Sequence, residues 1–178
     1  MKSLKLQGQF LIATPSIQDS LFDMSLVFLH SHSKSGSKGF IINKPLPSSK
    51  KKLLQHITNL SSLPAQQTLL IGGPLKVQQL FVLSPNNDQT LQSIKIVINR
   101  QSPSAKTGNE TSPHQLLTLG YCSWSTGQLM QEISNNQWLI APFEPSIFFD
   151  TSPKDKYKEA LSLLGIKPHQ LSGSVGHA

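Results

Sequence analysis

The side chains best suited to bind a ligand lie on, or just before, one predicted helix. Gln128 and Glu132 are four residues apart, so a helix brings them to one face, and Trp124 precedes that helix. A polar pair beside an aromatic ring suits the recognition of a small polar ligand. The competing interpretation, which we favour, is structural: Trp124 and Trp138 anchor the helix to a sheet, and Gln128 serves as a capping partner.

A glycine turn is the second candidate for ligand binding. Gly72 and Gly73 follow an apolar run and precede Pro74, so their backbone N–H groups could face a phosphate or a carboxylate. The turn lacks the Lys-Ser/Thr ending of a phosphate-binding loop and the Gly-x-Gly-x-x-Gly of a dinucleotide fold. A structural turn that needs positive φ is therefore favoured. Should a binding groove exist, we place it near Asn43, this turn and the helix that carries Glu132.

Histidines are the candidate metal ligands. His30 and His32 have the His-x-His spacing that projects two rings from one face of a strand, as a metal site requires. No Cys-x-x-Cys or His-Glu-x-x-His motif accompanies them, and His32 falls in a polar segment that we predict to be a loop. A third ligand would have to come from His114, His169 or His177. We therefore predict no metal site and no cofactor.

No set of residues forms a complete catalytic motif. Cys122 precedes the helix that begins near Ser125, but a buried and inert thiol is favoured over a nucleophile. Glu132 has no matched second carboxylate, which argues against a paired-carboxylate hydrolase. An enzyme that acts on a small polar or phosphorylated metabolite, with Glu132 and His32 as acid and base, stays open as the alternative. We assign no catalytic residue and favour a non-enzymatic protein.

The net charge of +7, from 16 basic and 9 acidic residues, raises the question of nucleic-acid binding. Arg100 is the only arginine, and bidentate reading of guanine is mostly performed by arginine. The lysines at 50–52 and at 154, 156 and 158 are predicted to be solvated helix surface. Weak, nonspecific attraction to nucleic acid stays open, while the predicted partner is a small ligand or a protein of unknown identity.

Length and composition predict a single cytoplasmic domain over residues 1–178. Cys122 is the only cysteine, so no intramolecular disulfide can form. The first residues lack the apolar run of a signal peptide, and the longest apolar runs are far too short to span a bilayer. We therefore expect no membrane association.

Apolar runs separated by Gly, Pro and Ser predict more strands than helices. The strands are predicted at residues 8–14, 25–30, 39–43, 68–71, 80–83, 94–98, 116–121 and 138–141. Tight turns favour an α/β fold of the α+β type, with a mixed, largely antiparallel sheet surrounded by about three to five helices. Residues 31–38 and 100–113 are predicted to be exposed loops, and the second of these to be mobile.

Helices are predicted where an apolar stripe follows a capping residue. One begins at Ser48, and a second begins at Ser125, which with Gln128 has the form of a capping box. The last begins at Ser152, with Pro153 at its first helical position. The apolar stripe of this last helix comprises Tyr157, Ala160, Leu161 and Leu164.

Four blocks of sequence form a recognisable series along the chain. They are Leu-Gln-Gly-Gln-Phe-Leu-Ile-Ala-Thr-Pro at 6–15; residues 32–36 with 39–45; Gly72-Gly73-Pro74; and residues 120–132 followed by Trp138. The ending Gly-His-Ala at 176–178 completes the pattern. The order and spacing of these blocks over almost the whole chain resemble the AlgH/YqgE family of small bacterial proteins.

The resemblance implies an α/β fold in which helices surround a partly barrel-like, bifurcated sheet. It also implies a regulatory, transcription-related role, without an agreed ligand or reaction. The chain departs from the family pattern in three places. Ser31 stands where a glutamate commonly precedes His32, Cys122 and Ser123 replace an Ala-Gly pair, and residues 100–113 replace a more apolar segment. These departures weaken any role for a Glu-His pair.

Overall fold

Eight strands carry the fold in the computed structural model, which describes residues 5–50, 68–85, 94–98 and 114–171. In chain order they are β1 (Phe10–Ala13), β2 (Leu26–Ser33), β3 (Gly36–Ile41), β4 (Leu69–Ile71), β5 (Leu75–Pro85), β6 (Ile94–Ile98), β7 (Leu116–Trp124) and β8 (Trp138–Ala141). Every strand predicted from the sequence has a counterpart here, because short apolar runs between turn residues are typical of buried strands.

The helical elements are α1 (Gln128–Ser134), a π-helix (Ser146–Asp150), α2 (Pro153–Ser162) and a short 3-10 helix (Pro168–Leu171). Residues 48–50 form a helical turn where the first predicted helix begins, but its apolar positions lie outside the described residues. The predicted mobile loop at 100–113 also lies outside them. Among the helices of the described ranges, none is long and apolar enough to cross a membrane.

The sheet is mixed and largely antiparallel, which confirms the predicted fold class. Its strand order is β6-β5-β7-β3-β2-β1-β8, and every pair along this path is antiparallel. The remaining strand, β4, pairs with β7 in parallel. Within the described part of the chain the sheet is open, ending at β6 and at β8.

The sheet branches along β7, where three glycine backbones meet. Leu117 to Leu119 pair with β4, whereas Cys122 to Trp124 pair with β3, so the partner changes around Gly120. A Cβ on Gly72 would lie 2.3 Å from the Gly120 oxygen, and one on Gly120 would lie 2.5 Å from the Gly73 oxygen. Gly73 and Gly120 also have φ of +156° and +75°. Only glycine meets both conditions, so the turn at Gly72 and Gly73 has the structural role that we favoured.

The segment 31–38 is not the exposed loop that its Ser, Lys and Gly content predicted. β2 runs to Ser33 and β3 starts at Gly36, so only a tight turn joins the two strands. Ser31 pairs with Lys38 and His32 pairs with Ser37. Ser31 and His32 are only partly buried and Lys38 is exposed, so polar side chains are tolerated there while the backbone hydrogen bonds continue.

Both faces of the sheet are buried, which explains why the strands are continuous apolar runs. In β1, Phe10 and Ile12 point to one face, and Leu11 and Ala13 point to the other. The first face packs against α2 through Tyr157, Ala160 and Leu161. The second packs against α1 through Leu129, together with Trp124 and Trp138.

The helix α2 begins as predicted, but one of its lysines is not on the surface. Ser152 is the N-cap and Pro153 follows at the first helical position. Lys156, predicted to be solvated, is 1% exposed. Its Nζ donates hydrogen bonds to the backbone oxygens of Ile147 and Phe148, the first at 2.9 Å. These carbonyls of the π-helix replace the water that the ammonium group loses, so a lysine is accommodated in the core.

Candidate functional site

A cleft of about 350 Å³ lies between α1, the end of β7, the start of β8 and the segment 17–22. Its volume is at the lower end of the range for small-molecule sites, which is about 300–1,000 Å³. Both apolar and polar side chains line it. The lining residues are Ile17, Gln18, Asp19, Phe22, Pro74, Cys122, Ser123, Trp124, Gln128, Glu132, Gln137 and Trp138.

The carboxylate of Glu132 is the centre of a hydrogen-bond network on the wall of this cleft. Its Oε2 accepts hydrogen bonds from the indole Nε1 of Trp124 and of Trp138, both at 2.8 Å. Its Oε1 accepts a third from Nε2 of Gln128 at 2.9 Å. Both indoles are buried, and their rings meet edge to face at 5.9 Å between centroids. The structure thus brings together Trp124, Gln128 and Glu132, as the helical spacing indicated.

Gln128 links this network to the start of α1. Its Oε1 accepts hydrogen bonds from the backbone N–H and the hydroxyl of Ser125, at 2.9 and 3.1 Å. One half of the predicted capping box is therefore present. The N-cap is Gly127, with φ of +75°, rather than Ser125 as predicted. The left-handed glycine allows the chain to turn sharply out of β7, which shifts the first helical residue to Gln128.

Another part of the lining comes from a segment that the sequence analysis did not assign to the site. Asp19 and Phe22 lie in the turn between β1 and β2, and the Asp19 Oδ1 accepts the backbone N–H of Leu21 at 2.8 Å. The ring of Phe22 meets Trp138 edge to face at 5.6 Å. No local pattern marks this turn as functional, because its position against the helix exists only in the folded chain.

Four of the seven predicted site residues do not line the cleft, namely His32, Asn43, Gly72 and Gly73. The ring Nδ1 of His32 is hydrogen bonded to the hydroxyl of Ser37 at 2.7 Å, across the β2–β3 hairpin. Asn43 is buried, where its Oδ1 accepts the N–H of Leu26 and its Nδ2 donates to the Met24 oxygen, both at 2.8 Å. Asn43 thus ties the end of β3 to the start of β2, and a ligand role for His32 or Asn43 stays a prediction.

The glycine turn borders the cleft through Pro74 rather than through its N–H groups. The N–H of Gly72 donates to the Leu119 oxygen at 2.7 Å, and its own oxygen accepts the N–H of Ile41 at 2.8 Å. Both Gly72 and Gly73 are buried, whereas Pro74 is exposed and lines the cleft. The turn sets the position of one rim, and its backbone hydrogen bonds hold the branch of the sheet.

Cys122 lines the same cleft but is 1% exposed. Its thiol donates to the Gly72 oxygen at 3.5 Å, and burial raises its pKa to about 12. A thiol that stays protonated at neutral pH is a weak nucleophile, so the geometry agrees with the inert cysteine that we favoured.

Among the described residues, no three His, Cys, Asp or Glu side chains come close enough to hold a metal ion. Burial, and then the charge of Lys38, lower the pKa of His30 from its ordinary value of 6.5. Its ring packs against Phe40 at 6.4 Å between centroids. His177, named as a third ligand, lies outside the described residues.

Comparison with known proteins gives consistent matches over almost the whole chain. Residues 10–169 match the family model described as AlgH-like. A UPF0301 protein of Aliivibrio fischeri is 38% identical over 187 residues, covering 98% of this chain and all of the relative. A UPF0301 protein of Chromobacterium violaceum is 39% identical over 186 residues, and the match covers all of this chain and all of the relative.

Two solved structures share the fold. The solution structure of the AlgH protein from Pseudomonas aeruginosa matches with a TM-score of 0.71 and 30% identity, and both chains are covered completely. A crystal structure of a Corynebacterium diphtheriae protein matches with a TM-score of 0.67, covering 90% of this chain and 88% of the other. That second pair is 21% identical, so it speaks for the fold alone.

Proposed function

This chain belongs to the AlgH-like family, and from that premise we propose that it is a non-enzymatic binding protein whose small ligand occupies the cleft beside Glu132. The observation that carries the proposal is the network around this carboxylate. Two indole N–H groups and one amide fix the orientation of Glu132 before any ligand arrives. A polar group fixed in advance binds a ligand without first losing conformational freedom, which is how small-molecule sites achieve affinity.

The arrangement supports binding better than acid–base catalysis. The enzyme alternative paired Glu132 with His32, and only Glu132 lines the cleft. His32 is hydrogen bonded within its own hairpin. A general acid and a general base must both reach one substrate, directly or through one water molecule. The third group considered as a reactive centre, Cys122, is a buried thiol.

A regulatory role is the finer form of this proposal. In it, occupancy of the cleft is the signal, and a further partner reads the occupied state. The transcription-related role and the cytoplasmic location expected from the sequence belong to the same proposal. Association with nucleic acid rests on the net charge alone and stays a prediction.

A metabolite screen with two readouts tests the proposal. The chain has two tryptophans, Trp124 and Trp138, and both line the cleft, so tryptophan fluorescence reports on its occupancy. A ligand at about 100 times its Kd should raise the free energy of unfolding by about 2.7 kcal/mol. We expect such a ligand to shift the melting temperature and the tryptophan emission together.

Two glutamines of α1 provide a matched pair of variants for this screen. Gln128→Leu removes a hydrogen bond to Glu132 at the cleft, whereas Gln131→Leu changes an exposed side chain outside the cleft. We expect the first variant to weaken binding about tenfold, the equivalent of about 1.4 kcal/mol, and the second to leave it unchanged. Ligands that stabilise both variants as strongly as the unchanged protein would place the binding site elsewhere and refute the proposal.

A further inference from the structure

The charge of the cleft is opposite to that of the protein. Among the residues that the structure describes, Asp19 and Glu132 are the only charged ones in its lining. The whole chain, by contrast, carries 16 basic and 9 acidic residues. A concave site lined by one sign of charge concentrates ligands of the opposite sign. A phosphorylated or carboxylated metabolite would be repelled by these two carboxylates.

The hydrogen-bond capacity of Glu132 is not fully used by the protein. A carboxylate offers about four acceptor positions, about two on each oxygen. Its Oε2 receives both indole N–H groups, while Oε1 receives only the amide of Gln128. One acceptor position on Oε1 therefore remains for a ligand. Glu132 is half-buried and lines the cleft, so this position is within reach of a bound molecule.

The remaining walls suit an apolar group next to that charge. Ile17, Phe22 and Pro74 line the cleft and are only partly buried or exposed, and the buried Trp138 lines it as well. Aromatic rings beside carboxylates are a common arrangement around organic cations, which both groups attract. A hydrogen-bond donor with positive charge and a small apolar body would therefore match the carboxylates and the apolar part of the lining.

We infer that the ligand of this cleft is an organic amine, bound as its ammonium ion. The ammonium group donates to Oε1 of Glu132 and is attracted by the carboxylate of Asp19, while the apolar body lies against Ile17, Phe22 and Pro74. This inference rests on the proposed function, because it names the ligand class for the same cleft. It also gives Asp19, which does not take part in the indole network, a role in selecting the charge of the ligand.

Three probes of one size separate charge from shape. Phenethylamine, phenethyl alcohol and hydrocinnamate share a phenyl ring and a two-carbon chain, and they end in a cation, a neutral hydroxyl and an anion. We expect phenethylamine to change the tryptophan emission with an affinity about tenfold above that of the alcohol, and hydrocinnamate to bind more weakly than both. Added salt should weaken the amine most, since screening acts on charge pairs.

Two neighbouring aspartates give the matched variants. Asp19→Asn removes a charge from the cleft, whereas Asp23→Asn removes one from an exposed position outside the lining. We expect the first to lower the affinity for phenethylamine severalfold without changing that for the alcohol, and the second to change neither. Unchanged amine affinity in Asp19→Asn would overturn the inference.

The three probes also distinguish the two proposals. Equal or tighter binding of the alcohol or of hydrocinnamate, with the tryptophans responding, would overturn the amine inference while leaving a binding cleft in place. No response to any probe, together with no cleft ligand from the metabolite screen, would overturn both.

Discussion

Glu132 and Lys156 are charged residues, each on a helix that packs against one face of the sheet. They differ in burial and in their hydrogen-bond partners. Lys156 is fully buried and donates to backbone oxygens of the neighbouring π-helix. Glu132 is half-buried, accepts hydrogen bonds only from side chains, and lines a cleft. The lysine is enclosed by its partners, whereas the glutamate is held by its partners and still open to a ligand.

The difference shows how a charged side chain that stabilises the fold can be distinguished from one that can bind a ligand. Burial lowers the pKa of Lys156 to about 8, partly offset by the charge of Asp150. The protein therefore loses stability by burying this ammonium group and recovers part of it through the carbonyl partners. Lys156 does not line the cleft described above, and its hydrogen bonds join α2 to the π-helix. At Glu132, by contrast, Oε1 accepts only one hydrogen bond from the protein, so a ligand can donate a second one.

The largest loss of stability should come from removing the buried charge of Lys156. Lys156→Ala leaves the Ile147 and Phe148 oxygens without their donor and empties space in the core, so we expect a loss of about 3 kcal/mol in the free energy of unfolding. Lys158→Ala, at an exposed position of the same helix, should change it by less than about 0.5 kcal/mol. Denaturant unfolding of both variants checks this, and equal small losses would mean that Lys156 is not enclosed.

A pH titration of stability also tests whether Lys156 is buried as a charged group. The pKa of Lys156 in the folded protein, about 8, lies below its ordinary value of 10.5, so the folded state disfavours the charged form. That penalty is complete below pH 8 and disappears as the pH rises towards 10.5. We therefore expect the unchanged protein to gain about 2 kcal/mol relative to Lys156→Met between about pH 7 and pH 10.

The comparison with Lys156→Met is needed because Cys122 acts in the opposite direction. Burial raises the pKa of its thiol to about 12 from an ordinary 9.0, so the folded state loses stability as the pH rises above 9.0. Both proteins share this loss, and it cancels in their difference. A difference that stays flat over the titration would contradict an enclosed ammonium group.

The smallest loss of stability should come from removing the charge of Glu132, which lines the cleft. In Glu132→Gln one oxygen still accepts from the indoles, but the new amide faces the amide of Gln128, so we expect a loss of about 1–2 kcal/mol. The tryptophan emission should shift, since both indoles contact this residue. Glu159→Gln, at an exposed position of α2, should change neither quantity. A loss as large as that of Lys156→Ala would show that Glu132 supports the core rather than a cleft.

Much of the site's helix could be read from the sequence, because its signals are local. The spacing of Gln128 and Glu132 indicated one face, and Ser125 with Gln128 indicated a helix start, although Gly127 moved that start by a few residues. The burial of Lys156 also had a local signal. It lies four residues before Ala160 and next to Tyr157, within the apolar stripe of α2, but its charge outweighed this position in the prediction.

For two of the predicted site residues, Asn43 and His32, no local signal indicated their actual partners. Asn43 was predicted to lie near the groove, yet its amide joins the end of β3 to the start of β2. His32 was assigned to a loop because its neighbours are polar, yet it lies in a strand. A polar residue at a strand end looks the same in the sequence whether it binds a ligand or holds another strand. Only its hydrogen-bond partners in the folded protein distinguish these roles.

The sequence by itself determined the strands, the final helix and the polar face of α1, because turn residues, apolar runs and helical spacing act between near neighbours in the chain. Only the tertiary structure decided that Asp19, Pro74, Trp124 and Trp138 border one cleft. Those residues are far apart in the chain, and their contact depends on how the sheet branches around Gly120. The physical reason is that a cleft is space left between packed elements, and such space is fixed only when all of them are in place.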